Sequence, residues 1–173
     1  MNVIFNGSNS NVKVAIEMAN SILLNPKFYQ KIRAKSKFDL STASPQIIAN
    51  LIQGSSLEFE VDLFYPSGWR AIKYGKTFAY TDHQYPNTLF LNLKKLKRNP
   101  ENITATIIHE SIHALDHECS EYTFGHGNNS AKGKGDTAPY WIGNLANRIL
   151  NNNFDLAELS FDQIEDEVND SSV

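Results

Sequence analysis

Residues 99–118 read NPENITATIIHESIHALDHE. Asn99, Pro100 and Glu101 open a helix with a cap residue, a proline suited to the first turn and an acid near the positive end of the dipole. At about 100° per residue, Ile103, Ile107, Ile108, Ile112, Ala114 and Leu115 fill one half of the cylinder. Asn102, Thr106, His109 and His113 take the other half. The pattern predicts a helix that buries its apolar side and turns an imidazole-bearing side toward a cleft.

Within it, His109-Glu110-Ser111-Ile112-His113 places two histidines four residues apart. Their Cα atoms stand about 6 Å apart along the axis, so both imidazoles can converge on one ion. Zinc suits neutral imidazole, leaves a position open for water, and lowers the pKa of that water toward about 7. Glu110, at the edge of the same face, can take the proton as general base and return it to a leaving amine. With five His and ten Glu in 173 residues, random placement writes this pattern in roughly one such chain in a hundred. Four of the five histidines fall between positions 109 and 126.

A third ligand is needed. His117 continues the four-residue series, but in an unbroken helix it lies about 12 Å along the axis from His109. Zinc–imidazole bonds are about 2.0–2.1 Å long, so His109 and His117 do not share an ion. His126 follows the expected helix end between Gly125 and Gly127, which permit a sharp return over the motif. His126 is therefore the favoured third ligand, with Asp136, Glu121 and His117 as alternatives.

Outward from this helix the chain reads as helices, then strands, then helices. Val12, Ala15, Ile16, Ala19, Ile22 and Leu23 repeat at helical spacing behind Ser8-Asn9-Ser10 and stop at Asn25-Pro26. A shorter helix through Phe28 and Ile32 follows. Ser44-Pro45 opens another, ended by Gly54. Leu57, Phe59, Val61 and Leu63 alternate with Glu58, Glu60 and Asp62, the period of a half-buried strand. Arg70–Thr81 reads as a hairpin around Gly75, and Thr88–Leu93 as a further strand. After the motif helix, Ile142, Leu145, Ala146, Ile149 and Leu150 mark a C-terminal helix. The fold class expected is α+β, one domain with a small mixed or antiparallel sheet.

Size and composition fit that expectation. A chain of 173 residues is about one domain, and 41% apolar with 20% charged residues excludes both a disordered segment and a coiled coil. Residues 151–173 carry seven acids and neither Lys nor Arg. Against the chain's 16 bases and 19 acids, this leaves sixteen bases and twelve acids in residues 1–150, a net of +4. The division is a 1–150 domain and a 151–173 acidic extension, expected to be solvated. No basic stripe argues for nucleic acid, and no apolar run approaches the roughly 18 residues of a membrane span. The single cysteine, Cys119, excludes an internal disulfide and a multi-cysteine zinc site; it reads as a small buried apolar residue. The start, MNVIFNGSNSN, has neither the basic nor the apolar region of a secretory signal. The default expectation is a cytoplasmic monomer, with export by a signal-independent route left open.

HESIH on an amphipathic helix after the strand TLFLNL resembles the active-site core of the zincin metallopeptidases. The metzincin continuation is absent, since Asp116 stands where its Gly belongs and Cys119 where its third His belongs. The aspzincin GTxD segment is absent too. The turn Phe124-Gly125-His126 and the segment Ala138-Pro139-Tyr140-Trp141-Ile142-Gly143 are similar to a set of short bacterial HExxH proteins. Small bacterial effector peptidases share the size. The resemblance implies a strand edge that holds a protein or peptide substrate antiparallel, and a Tyr near zinc that stabilises the oxyanion. Tyr140 fits that role and equally fits a tyrosine wedged at a helix start. Asp116 reads first as a solvated acid, with an acceptor behind a ligand imidazole as the alternative. Asn92 reads as an exposed strand residue and His83 as surface. Two rival functions stand: a non-catalytic zincin-fold module with structural zinc, and a metal-dependent hydrolase of non-peptide bonds.

Overall fold

The first three helices each begin where a side chain satisfies an amide that the helix cannot. Asn9 accepts from Val12 N at 3.1 Å and opens α1, Ser10–Leu23. Asn25 accepts from Lys27 N at 2.9 Å ahead of α2, Pro26–Ala34. Ser44 accepts from Ile47 N at 3.3 Å ahead of α3, Pro45–Gly54. The motif helix α4 spans Pro100–Glu118, and α5 spans Ala138–Leu150. Asn99 was expected to cap α4 with its side chain. Instead only its carbonyl is used, by Asn102 N and Ile103 N, with Pro100 setting the first turn. The structure, a computed structural model, describes residues 1–68, 72, 74–75, 78–82, 84–126, 133–155 and 164–166, the last three by backbone alone.

Five strands form one mixed sheet in the order β1-β2-β4-β3-β5: Asn2–Ile4, Glu58–Phe64, Ala79–Asp82, Tyr85–Asn92 and Ile164–Asp166 in chain order. β1 runs parallel to β2, and β2 parallel to β4, with Val61 opposite Leu89 and Leu63 opposite Leu91. β3 is antiparallel to β4, with Tyr80 opposite Phe90. One face of β2 and β4 buries Phe59, Val61, Leu89 and Leu91 in a core shared with Ile103, Ile107, Ile108 and Ile112 of α4. The other face carries Phe64, Tyr80 and Phe90, against which Tyr74 packs. The α+β reading stands, and the sheet is mixed.

Several local expectations do not. The described residues around Gly75 are not strands: Ile72 and Tyr74 are helical, and the Tyr74 ring stacks on Tyr80 at 4.3 Å, seating Tyr74 on the far face of the sheet. The hairpin lies one turn later, between β3 and β4. His83, expected at the surface there, lies outside the described residues. The strand Thr88–Leu93 is not an edge, because β4 is flanked by β2 and β3. Asn92, expected exposed, is fully buried; its side chain caps Lys94 N at 3.0 Å and reaches Tyr74 O at 3.5 Å. The solvated tail is corrected at two points. Phe154 lies beneath the ammonium groups of Lys27 and Lys31 at 5.1 and 5.0 Å, and β5 pairs with β3. Leu156, Leu159, Phe161 and Val168 lie outside the described residues. No helix among the described residues is long and apolar enough to cross a membrane.

Candidate metal centre

α4 is buried around almost its whole circumference from Ile103 to Leu115. Among the described residues its polar side is covered by α5, with His113 left partly exposed. Asn147 Nδ2 donates to Asn102 Oδ1 at 3.0 Å, and Tyr140 lies over the imidazoles. Polar groups placed there must find partners within the protein.

The four-residue spacing puts His109 and His113 side by side, ring centroids 5.0 Å apart. α4 ends at Glu118, and the chain doubles back through Phe124 so that His126 enters between them and α5. His126 Nε2 lies 2.8 Å from His113 Nε2 and 3.4 Å from His109 Nε2. The three ligand atoms all fall within 4.8 Å of one another, a set that can hold a metal ion. Two nitrogens each about 2.0–2.1 Å from a tetrahedral ion are about 3.3 Å apart, a spacing that the His109–His126 pair matches and that the closer His113–His126 pair reaches by parting slightly. His126 is 6% exposed and His109 2%.

Electrostatics favour the neutral, ligand form of the imidazoles. Desolvation, then the neighbouring His113 and His126, hold His109 well below the ordinary histidine value; a hydrogen bond to the backbone of Pro139 partly opposes them. His113 is lowered to about 3 by desolvation, then by His117 and Lys134. Neutral imidazole is what a cation requires. Glu110 is 1% exposed, and its Oε1 stands 3.7 Å from His109 Nε2. The buried Tyr140 ring meets His109 edge-on at 4.6 Å and lies 4.8 Å from His126.

The residues singled out in the sequence thus divide. His109, Glu110, His113, His126 and Tyr140 come together. His117 and Glu121 are exposed. Asp136, with 66% of its side chain exposed, pairs with Lys35 Nζ at 2.6 Å. Asp116 is neither a freely solvated acid nor seen as an acceptor for an imidazole; its Oδ1 accepts from Phe124 N at 2.6 Å.

Sequence reading missed the loop between α2 and α3 altogether. Asp39 N donates to Asp136 O at 3.0 Å and Thr42 N to Thr123 O at 2.8 Å. That loop therefore braces both the His126 turn and the approach to Tyr140. Its partners are roughly eighty or more residues away in sequence, and no local pattern signals them. No family model, curated protein or solved structure matches the chain. Functional assignment rests on the side chains of this centre.

Proposed function

We propose that the chain is a zinc-dependent metallopeptidase that hydrolyses peptide bonds with water, His109, His113 and His126 holding the ion and Glu110 serving as general base. The observation that supports this most is the buried Glu110 carboxylate beside His109, one of the three clustered imidazoles. Burying an acid is costly, and a site built only to grip an ion with three histidines has no need of it. When bound, zinc supplies Lewis acidity and lowers the pKa of a coordinated water. Glu110 is placed to accept a proton from water and to pass it to the departing amine. Tyr140, packed on two of the ligands, is the candidate donor to the developing oxyanion. This carries the zincin resemblance of the HESIH segment to mechanism, with a protein or peptide as substrate, although the strand before the motif helix is flanked on both sides and does not supply the edge that the resemblance implies.

A second reading, a metal-holding module without turnover, draws support from the burial of His109 and His126, since structural sites are closed. Glu110→Gln separates the two. Zinc should stay near one per chain, while cleavage of a denatured peptide library, read by mass spectrometry, falls by about 10² or more. A wild-type protein that holds zinc and cleaves no peptide would leave the second reading. One that takes up no zinc would refute both.

A further inference from the structure

We propose that Asp116 is the positioning residue of the metal centre's third arm: its carboxylate grips the amide of Phe124 and so fixes the turn that presents His126. The inference rests on the three-histidine centre and not on peptide hydrolysis. Positions 109, 113 and 116 are spaced i, i+4 and i+7, so one helical face carries two ligands and then Asp116, one turn further on. The hydrogen bond from Phe124 N to Asp116 Oδ1 is 2.6 Å, the short contact of a charged acceptor.

Gly125 shows how closely the turn is fitted. A Cβ on Gly125 would lie 2.6 Å from Asp116 Oδ2 and 3.5 Å from His113 Nδ1. The backbone therefore runs close against the carboxylate and within ordinary contact of a ligand ring, so any larger residue would push the carboxylate aside. Among the described glycines, positive φ occurs only at Gly68 and Gly133, so close approach rather than backbone freedom selects glycine at 125.

The rest of the turn is held from the other side. Thr123 N donates to Thr42 Oγ1 at 2.9 Å, Thr42 N to Thr123 O at 2.8 Å, and the Phe124 ring is fully buried. With 123, 124 and 125 fixed, His126 projects from a preformed base. Helix energetics alone would disfavour this acid, because Asp116 lies in the last turn of α4, where the dipole repels negative charge. The Phe124 amide compensates.

The test is zinc affinity, measured by competition with a chromogenic chelator on the full chain. Asp116→Ala should weaken zinc binding about 10- to 100-fold, the usual effect of removing a group that orients a ligand. Asp116→Asn keeps an acceptor for Phe124 N and should stay within about threefold of wild type, on the ground that a neutral acceptor still makes the bond. In a His126→Ala background, Asp116→Ala should add little, because the pair acts as one unit. Wild-type affinity in Asp116→Ala would overturn the proposal. So would equal losses in the Asn and Ala variants, which would mark a charge effect, and so would additive losses in the double mutant. If Asp116→Ala does not fold, Gly125→Ala decides, since its methyl group meets Asp116 Oδ2 and must part the carboxylate from the turn. Unchanged affinity there overturns the clamp. Absence of zinc uptake by the wild type would instead remove the centre itself.

Discussion

His126→Ala tests the centre most directly, and its size can be worked out in advance. Structural zinc sites in small domains bind with about 10–16 kcal/mol over four ligands, or about 3 kcal/mol each. Losing one of three imidazoles should therefore raise the zinc Kd on the order of 10²-fold. Thermal denaturation reads this out. At free zinc near 100 times the wild-type Kd, linkage stabilises the native state by about 2.7 kcal/mol. For a chain of this length that is a rise of roughly 5–11 °C in the midpoint. At the same zinc concentration the His126→Ala protein should gain only about 1 °C over its own metal-free midpoint. Comparing each variant with its own metal-free form cancels the packing lost with a buried imidazole. His117→Ala is the control, because His117 is exposed on the turn after His113. It should show the full wild-type shift. A full shift in His126→Ala, or a lost one in His117→Ala, would refute the assignment of the third ligand.

Three further outcomes follow from the same structure. Asp136→Ala should leave zinc affinity unchanged and alter stability by at most about 1 kcal/mol, because its exposed carboxylate pairs with Lys35 and not with the centre; weakened zinc binding would restore it as a ligand. Leu40 has φ 57° and is 67% exposed. Leu40→Gly should relieve about 1–2 kcal/mol of left-handed strain against about 0.5–1 kcal/mol of added chain entropy, so the midpoint should hold or rise by a few degrees; a fall of more than about 2 °C, the scale of one kcal/mol in a chain of this size, would mean that its side chain is engaged. A chain ending at Asp155 loses β5 but none of residues 109–140. It should stay folded and bind zinc as the full chain does, with a midpoint lower by a few degrees for the lost strand bonds; loss of zinc would show that the tail supports the centre.

What was legible in the sequence was what a single helix repeats. The 3.6-residue period fixed the apolar side of α4, the position of Glu110 and the convergence of His109 with His113. The rise per residue sets His117 too far from His109 to share an ion, which leaves His126 as the favoured histidine. The strand period was equally plain in Phe59 and Val61. What failed needed knowledge of neighbours. A period of two says that Thr88–Leu93 is a strand but not that β3 and β2 lie on either side of it, so Asn92 read as exposed. β1 is three residues long, too short for any period; it is held by Asn20, whose side chain bonds both N and O of Val3 at 2.9 Å.

Asp116 exposes the limit most clearly. Its place on the ligand-bearing face is visible at i+7, and the acid there is unfavourable for the helix by itself. Such a local conflict marks a residue whose partner lies elsewhere in the fold. The partner, a main-chain amide eight residues on, carries no side-chain signature, so no scan of residue types could have named it. At Gly125 the sequence suggests backbone freedom for a sharp return. Its φ is not positive; what glycine supplies at 125 is close approach, since a Cβ there would lie 2.6 Å from Asp116 Oδ2. A ligand arm confined in this way loses little freedom when a metal binds. That is why the centre should be sensitive to a methyl group at 125, even though Gly125 touches no metal.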